Sequence, residues 1–178
     1  MGEPHISIVT IRPEDADDAA AIYAVHCAAF PTDDEARLVD ALRAAGHATI
    51  SLVAELETQL VGHVLFSPVS VVGATGRLNG LGLAPVAVLP AHQRRGIGSD
   101  LIREGLAACR DAGYGYVVLV GHPEYYPRFG FRPASQVGLG NEYGADDAFM
   151  VLELIPGGLP PAGLVQYGPE FRQWERGS

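Results

Sequence analysis

Two arginines and two glycines stand between an apolar run and a helix-patterned segment. Val86-Ala87-Val88-Leu89 is apolar and mostly unbroken until Pro90, and the loop Gln93-Arg94-Arg95-Gly96-Ile97-Gly98-Ser99 follows shortly after. Beyond it Leu101, Ile102, Gly105, Leu106 and Cys109 recur at the three-and-four spacing of one helical face. The first N–H groups of a helix have no internal partner, and the helix dipole adds partial positive charge there. Gly96 and Gly98 carry no Cβ, so an anion can approach the backbone, and Arg94 and Arg95 add donors suited to phosphate oxygens. Strand, turn and helix start form a cradle for a pyrophosphate. The plain alternative is a glycine-containing helix start that binds nothing.

The loop lacks the Gly-Lys-Ser/Thr ending of a P-loop, which argues against a nucleotide triphosphatase. It also stops short of Gly-x-Gly-x-x-Gly, which argues against a dinucleotide site. A second informative stretch runs Gly121-His122-Pro123-Glu124-Tyr125-Tyr126-Pro127-Arg128-Phe129-Gly130-Phe131.

Gln93-x-x-Gly96-x-Gly98, reached from an apolar strand and opening an amphipathic helix, resembles the acetyl-CoA signature of the GCN5-related N-acetyltransferases (GNAT). In that family a tyrosine four residues before a Gly-Phe pair follows the fifth strand, and Tyr126 has this spacing to Gly130-Phe131. The segment Leu81 to Phe131, with Gly62-His63 and Phe149-Met150, is similar to a small subfamily of predicted N-acetyltransferases, so the resemblance covers most of the chain.

The resemblance implies an α/β fold whose mixed central sheet is mostly antiparallel, with the fourth and fifth strands parallel and splayed. It implies acetyl-CoA as co-substrate and an amine as acceptor, with no metal. Backbone groups of Val86, Ala87 and Val88 would bind the pantetheine arm. Gln93, Arg94, Arg95, Gly96, Ile97, Gly98 and Ser99 would hold the diphosphate, with Tyr126 and Arg128 beside the cofactor.

Acetyl transfer needs a neutral amine, donors for the developing oxyanion and a proton for the departing thiolate. The Val88 N–H is the candidate oxyanion donor. Tyr126 is the candidate general acid; a lone tyrosine is more often a half-buried aromatic, but the spacing to Gly130-Phe131 tips this one towards function, and Tyr125 reads as structural. No base is identified. Glu35 is one candidate, against a role in helix-start stabilisation; His122, at the end of the fifth strand, is another, against a structural hydrogen bond. A water chain could serve instead. The other histidines, His5, His26, His47, His63 and His92, show no metal-ligand spacing.

The elements that must position these groups are legible from periodicity. Ile6–Arg12 reads as a first strand, residues 16–30 as a helix that Pro31 ends, and a second helix begins near Thr32 or Asp33 and closes at Gly46. Thr49–Glu57 and Leu60–Val72 form a hairpin, residues 74–80 a turn, and Leu81–Leu89 the fourth strand. Pro85 inside that strand implies an edge or a bulge. A helix over residues 98–112 leads to Tyr116–Val120, a fully buried strand, so this pair should be parallel. One helical turn over His122–Arg128, a strand from Phe131 and another over Ala148–Ile155 follow. From Gly157 the chain is rich in Pro and Gly, with Val165, Tyr167, Phe171 and Trp174 as anchors for irregular structure or an edge strand.

At 178 residues the chain reads as one domain, residues 1–178, with about 157–178 as an extension packed on it. A net charge of −9 disfavours nucleic acid as a partner. No apolar run reaches membrane-span length and no leader pattern opens the chain, so a cytoplasmic location is expected. Cys27 and Cys109 read as buried reduced thiols. The aromatic tail could support a homodimer. Against the enzyme stands a catalytically silent CoA-binding module of the same fold, favoured by the lack of an acid on the fourth strand; a nucleotide-binding oxidoreductase is a further alternative.

Overall fold

The structure is a computed structural model that describes residues 8–74 and 79–176, with side chains through Arg172. Its strands are β1 (Val9–Pro13), β2 (Ile50–Leu56), β3 (Gln59–Val71), β4 (Gly80–Val88), β5 (Tyr116–Val120), β6 (Arg132–Pro133), β7 (Leu139–Asn141), β8 (Phe149–Glu153) and β9 (Gly163–Tyr167). Three α-helices join them: α1 (Ala19–Ala29), α2 (Asp34–Ala44) and α3 (Ile97–Asp111). The main sheet order is β1-β2-β3-β4-β5-β8-β6, antiparallel except for the parallel pair β4–β5. The expected α/β architecture is therefore observed.

Each helix forms where one face can be buried. On α3 the buried residues are Ile97, Leu101, Ile102, Gly105, Leu106 and Cys109, a stripe that covers one face of the sheet with Val64, Phe66 and Val117 beneath it. A Cβ on Gly105 would lie 2.3 Å from the Phe66 ring, so only glycine lets the helix seat this close. On the opposite face α1 and α2 bury Ile22, Val25, Leu38, Val39 and Leu42 against Val53, Leu65 and Ala87. Strand β5 is buried over Tyr116–Leu119 because both faces of the sheet are covered.

β4 and β5 pair only at Gly80↔Tyr116, Leu81↔Val117 and Gly82↔Val118. Beyond that point β4 stays with β3 and β5 with β8, and the two separate. Pro85 contributes: the β3–β4 register shifts between Val64 and Phe66, so Leu65 faces the Ala84-Pro85 pair in a bulge. A proline has no N–H to give the neighbouring strand, and the bulge turns β4 away from β5.

Several boundaries differ from the sequence reading. Residues 16–18 form a 3₁₀ turn ahead of α1, and the turn after β5 is a 3₁₀ segment, Tyr126–Phe129. The strand expected from Phe131 is only Arg132–Pro133. β7 has no counterpart among the expected elements, and β9 runs parallel to β7 and antiparallel to Val69–Val71 of β3. The tail thereby places Val165, Tyr167 and Phe171 in the core on the α1–α2 face. A 3₁₀ stretch, Pro169–Arg176, follows, and its Glu170 bonds His47 Nδ1 at 2.8 Å. The expected anchor Trp174 has its side chain outside the described ones, as are the residues Ile6 and His5 and the turn residues 75–78.

Cys109 is buried, but Cys27 is exposed, correcting the expectation of two buried thiols. The inward face of α1 is Ile22, Val25 and His26, and the next residue points to solvent. Among the described residues no helix is long and apolar enough to cross a membrane.

Candidate active site

The loop between β4 and α3 is an opened array of N–H groups. Arg94 has φ +63° and Gly96 φ +85°, so left-handed residues alternate along the turn and point successive amides to one side. An arginine in that conformation is uncommon and belongs to turns under constraint. The first amide of α3 that bonds backbone is Asp100, which donates to Gly96 O at 2.9 Å. Among the described residues the amides of Arg94, Arg95, Gly96, Ile97, Gly98 and Ser99 donate to no protein group.

These amides line a cleft of about 450 Å³. Gln93, Arg94, Gly96, Ile97, Gly98 and Ser99 form one wall, Val88 the floor, and His92, Tyr125 and Arg128 the remainder. Gly98 is helical with ordinary backbone angles, and a Cβ there would sit 3.6 Å from Val88 Cγ2, an ordinary contact. The fold therefore does not require glycine at 98. Arg128 lies with its guanidinium 4.1 Å from the centre of the Tyr125 ring, and its Nε donates to Tyr125 O at 2.8 Å. Ser99 Oγ and Tyr125 Oη are hydrogen-bonded at 2.8 Å, tying the helix start to the segment after β5.

The edge of β4 runs out of this cleft. Leu89 N–H donates to Val61 O of β3 at 2.8 Å. Peptide groups alternate along a strand, so Ala87 also faces β3, while Val86 and Val88 turn theirs into the gap left by β5. Gln93 Nε2 donates to Val88 O at 2.9 Å and leaves the Val88 N–H unused. The free strand edge thus begins where the free helix amides end.

Tyr126 is packed against Phe131 and under Gly121, the residue that follows β5, where any Cβ would lie 2.4 Å from its ring. Its hydroxyl makes no hydrogen bond to a described residue, and burial, with Tyr125 adding to it, pushes the phenol up to about 12. Glu35 sits in the first turn of α2; its Oε2 is buried without a partner, and burial raises its carboxyl. His122 is exposed, and its carbonyl accepts from the Tyr125 amide at 3.1 Å.

Of the residues expected around the loop, the structure brings all but Arg95 into the cleft wall; Arg95 is exposed beside it. Tyr125 and His92 line the cleft as well, although Tyr125 had read as structural. Only the three-dimensional approach of residue 99 to residue 125 reveals that. A second missed feature lies on the other face of the sheet, where His26 and His63 are fully buried and bonded to each other at 2.8 Å.

Comparison with known proteins gives the same direction. Residues 10–134 match the acetyltransferase (GNAT) domain family. The uncharacterized N-acetyltransferase YhbS of Escherichia coli K12 is 39% identical over 167 residues, spanning 92% of this chain and 99% of the relative. YjhQ of the same strain is 38% identical over 128 residues, 71% of each chain. A crystal structure of Escherichia coli YhbS in complex with CoA superposes with a TM-score of 0.89 at 35% identity, covering 97% of this chain and 96% of that one. A GNAT acetyltransferase from Brucella melitensis in complex with acetyl-CoA gives 0.78 at 42% identity, covering 93% and 99%. With its free helix amides, its splayed parallel strands and these relatives along nearly its full length, the chain belongs to the GCN5-related N-acetyltransferase family.

Proposed function

We propose that this chain transfers the acetyl group of acetyl-CoA to a primary amine by direct attack. The observation that carries the reading is the run of unpaired amides from Arg94 to Ser99, continuous with the unpaired edge of β4. A CoA diphosphate on those amides gains charge-assisted hydrogen bonds of about 1.5–3 kcal/mol each. The pantetheine arm then pairs with Val86 and Val88 as an added strand, which brings the thioester into the gap between β4 and β5. The residues fit this co-substrate: the helix start admits an anion, and the strand edge offers donors and acceptors for an extended amide chain.

There the Val88 N–H points at the carbonyl oxygen as it becomes negative, a contribution of roughly 3 kcal/mol when such a donor is preorganised. Tyr126 holds its proton across the working pH range, and this phenol is the group we assign as acid for the leaving thiolate. Glu35, with a raised carboxyl and an unpartnered oxygen, supports recognition or deprotonation of the acceptor amine; His122 on its exposed turn is the weaker of the two candidates.

The test is calorimetric binding of acetyl-CoA, CoA and NAD, followed by thiol release from acetyl-CoA with a panel of polyamines, aminoglycosides and lysine peptides. Binding of the CoA compounds and release stimulated by at least one amine is the expected result. Binding without release identifies a silent CoA-binding module, and binding of NAD alone removes the proposal.

A further inference from the structure

Two arginines line the cleft, Arg94 and Arg128, and they are held differently. Arg94 is exposed and makes no ion pair among the described residues. Arg128 belongs to the tight turn Tyr126–Phe129, in which Pro127 fixes one φ. Gly130, at φ +95°, closes that turn by donating to Pro127 O at 3.0 Å. The Arg128 guanidinium is braced from below by Tyr125, through its ring at 4.1 Å and its carbonyl at 2.8 Å from Nε. Tyr125 is fixed in turn. Tyr126 and Phe129 meet its ring edge-on at 5.0 and 5.4 Å, and its hydroxyl is bonded to Ser99 Oγ. With Nε engaged, the two Nη groups of Arg128 keep their donors free of any described residue. A guanidinium fork thus stands one phenol ring away from Ser99, the last of the free helix-start amides.

The surrounding charges favour an anion at that fork. The chain carries −9 overall, and Arg12, Arg37, Arg43 and Arg103 are each paired with a carboxylate. Arg128 pairs with none among the described residues, and no acidic residue lines the cleft. Asp100, the acid in the first turn of α3, is taken by Arg103 at 3.4 Å.

Coenzyme A carries a diphosphate and, on the same ribose, a separate 3′-phosphate. The diphosphate has four non-bridging oxygens, fewer than the free amides from Arg94 to Ser99, so it needs no side chain. The 3′-phosphate is a monoester with roughly 1.5–2 negative charges at neutral pH and three terminal oxygens. With pantetheine leaving the helix start along β4, the ribose leaves towards the mouth of the cleft, where Arg128 is exposed. One sugar ring separates the two phosphate groups, a span comparable with the phenol ring between Ser99 and Arg128.

Resting on the acetyl-CoA reading above, we infer that Arg128, braced by Tyr125, binds the 3′-phosphate and makes this chain discriminate coenzyme A from dephospho-coenzyme A. The guanidinium fork matches two phosphate oxygens at once, which a point charge does not. Its ordering is already provided by Tyr125, whereas Arg94 and Arg95 must give up side-chain freedom to engage the same group.

Calorimetric titration with CoA and dephospho-CoA tests the assignment, with the melting temperature of each variant measured alongside. Wild type should bind CoA about 10-fold more tightly than dephospho-CoA, the low end for a charged hydrogen bond because the fork is open to water. In Arg128→Gln the ratio should fall to about 2 or less, through lost CoA affinity, while dephospho-CoA binds as to wild type. Arg128→Lys keeps the charge and the stem, guards against a folding defect in the first variant, and should give an intermediate ratio. A wild-type ratio near one overturns the inference and leaves the transferase standing. Equal weakening of both compounds by Arg128→Gln also overturns it, since Arg128 would then serve the diphosphate or the fold. Loss of the ratio in Arg94→Gln but not in Arg128→Gln overturns it too, as does a wild-type ratio in Arg128→Lys. A wild-type protein that binds neither compound overturns the acetyl-CoA reading itself.

Discussion

Glycine 98 offers a perturbation in which fold and function have opposite signs. The residue lies in α3 with unremarkable backbone angles, and a methyl there would meet only Val88 Cγ2 at 3.6 Å. Gly98→Ala should therefore stabilise the free protein, by ~0.5–1 kcal/mol from helix propensity. That corresponds to a rise in melting temperature of roughly 1–4 °C for a chain of this size. The same methyl projects into the cleft wall and holds a diphosphate off the amides. Losing one charge-assisted hydrogen bond costs ~1.5–3 kcal/mol, so the Kd for acetyl-CoA should rise about 10- to 100-fold. At a ligand concentration of about 100 times the wild-type Kd, acetyl-CoA adds ~2.7 kcal/mol to the wild type but only ~0.4–1.4 kcal/mol to the variant. Thermal unfolding with and without acetyl-CoA reads both effects in one experiment. Gly96→Ala is the control: with φ +85° at that position, the added Cβ should cost ~1–2 kcal/mol even in the free protein. A free Gly98→Ala protein that melts several degrees lower would make this glycine structural. An undiminished ligand shift would remove the cradle.

Three further outcomes follow from buried groups. Tyr126→Phe removes a hydroxyl that bonds no described residue, so the melting temperature should hold while kcat falls about 10²-fold and acetyl-CoA affinity stays; a wild-type rate would place the acid elsewhere. Because the phenol keeps its proton to about 12, no alkaline loss of rate from this group is expected below about pH 11. Acid should unfold the protein in a defined window, read as the denaturant midpoint against pH. Burial holds His26 neutral down to about 3, whereas the unfolded chain takes up that proton near 6.5, so stability falls as pH drops through this interval. Burial alone would raise Glu14, but its contacts with His63, Arg43 and Ser51 depress it from 4.5 to about 2. It contributes stability above 4.5 that is lost as pH falls towards 2. The two windows overlap, and a midpoint that is flat between pH 6 and 4 would contradict this placement of His26 and Glu14.

The loop after β4 was legible because it is local. Gln93 to Ser99 occupy one turn and one helix start, and the chemistry of free amides there depends on neighbours in sequence. The strands on either side declared themselves by apolar runs, and Pro85 correctly marked an irregularity, since a missing N–H acts wherever the residue sits. Tyr125 and the tail behaved otherwise. Nothing in the spacing of Ser99 and Tyr125 shows that their hydroxyls meet, and β7 and β9 are too short and too polar in part to stand out from their Pro and Gly surroundings.

Composition and periodicity by themselves determined a mixed α/β chain with a glycine-containing helix start after β4, because each is written in contacts between near neighbours; the attention to Tyr126 before Gly130-Phe131 came from the family resemblance. The tertiary structure alone decided that His26, His63, Ser51 and Glu14 join into one line, since their partners are brought together from α1, two strands and the N-terminal segment. A histidine's chemistry depends on what faces each ring nitrogen, and in this protein those facing groups lie between 12 and 37 residues away along the chain.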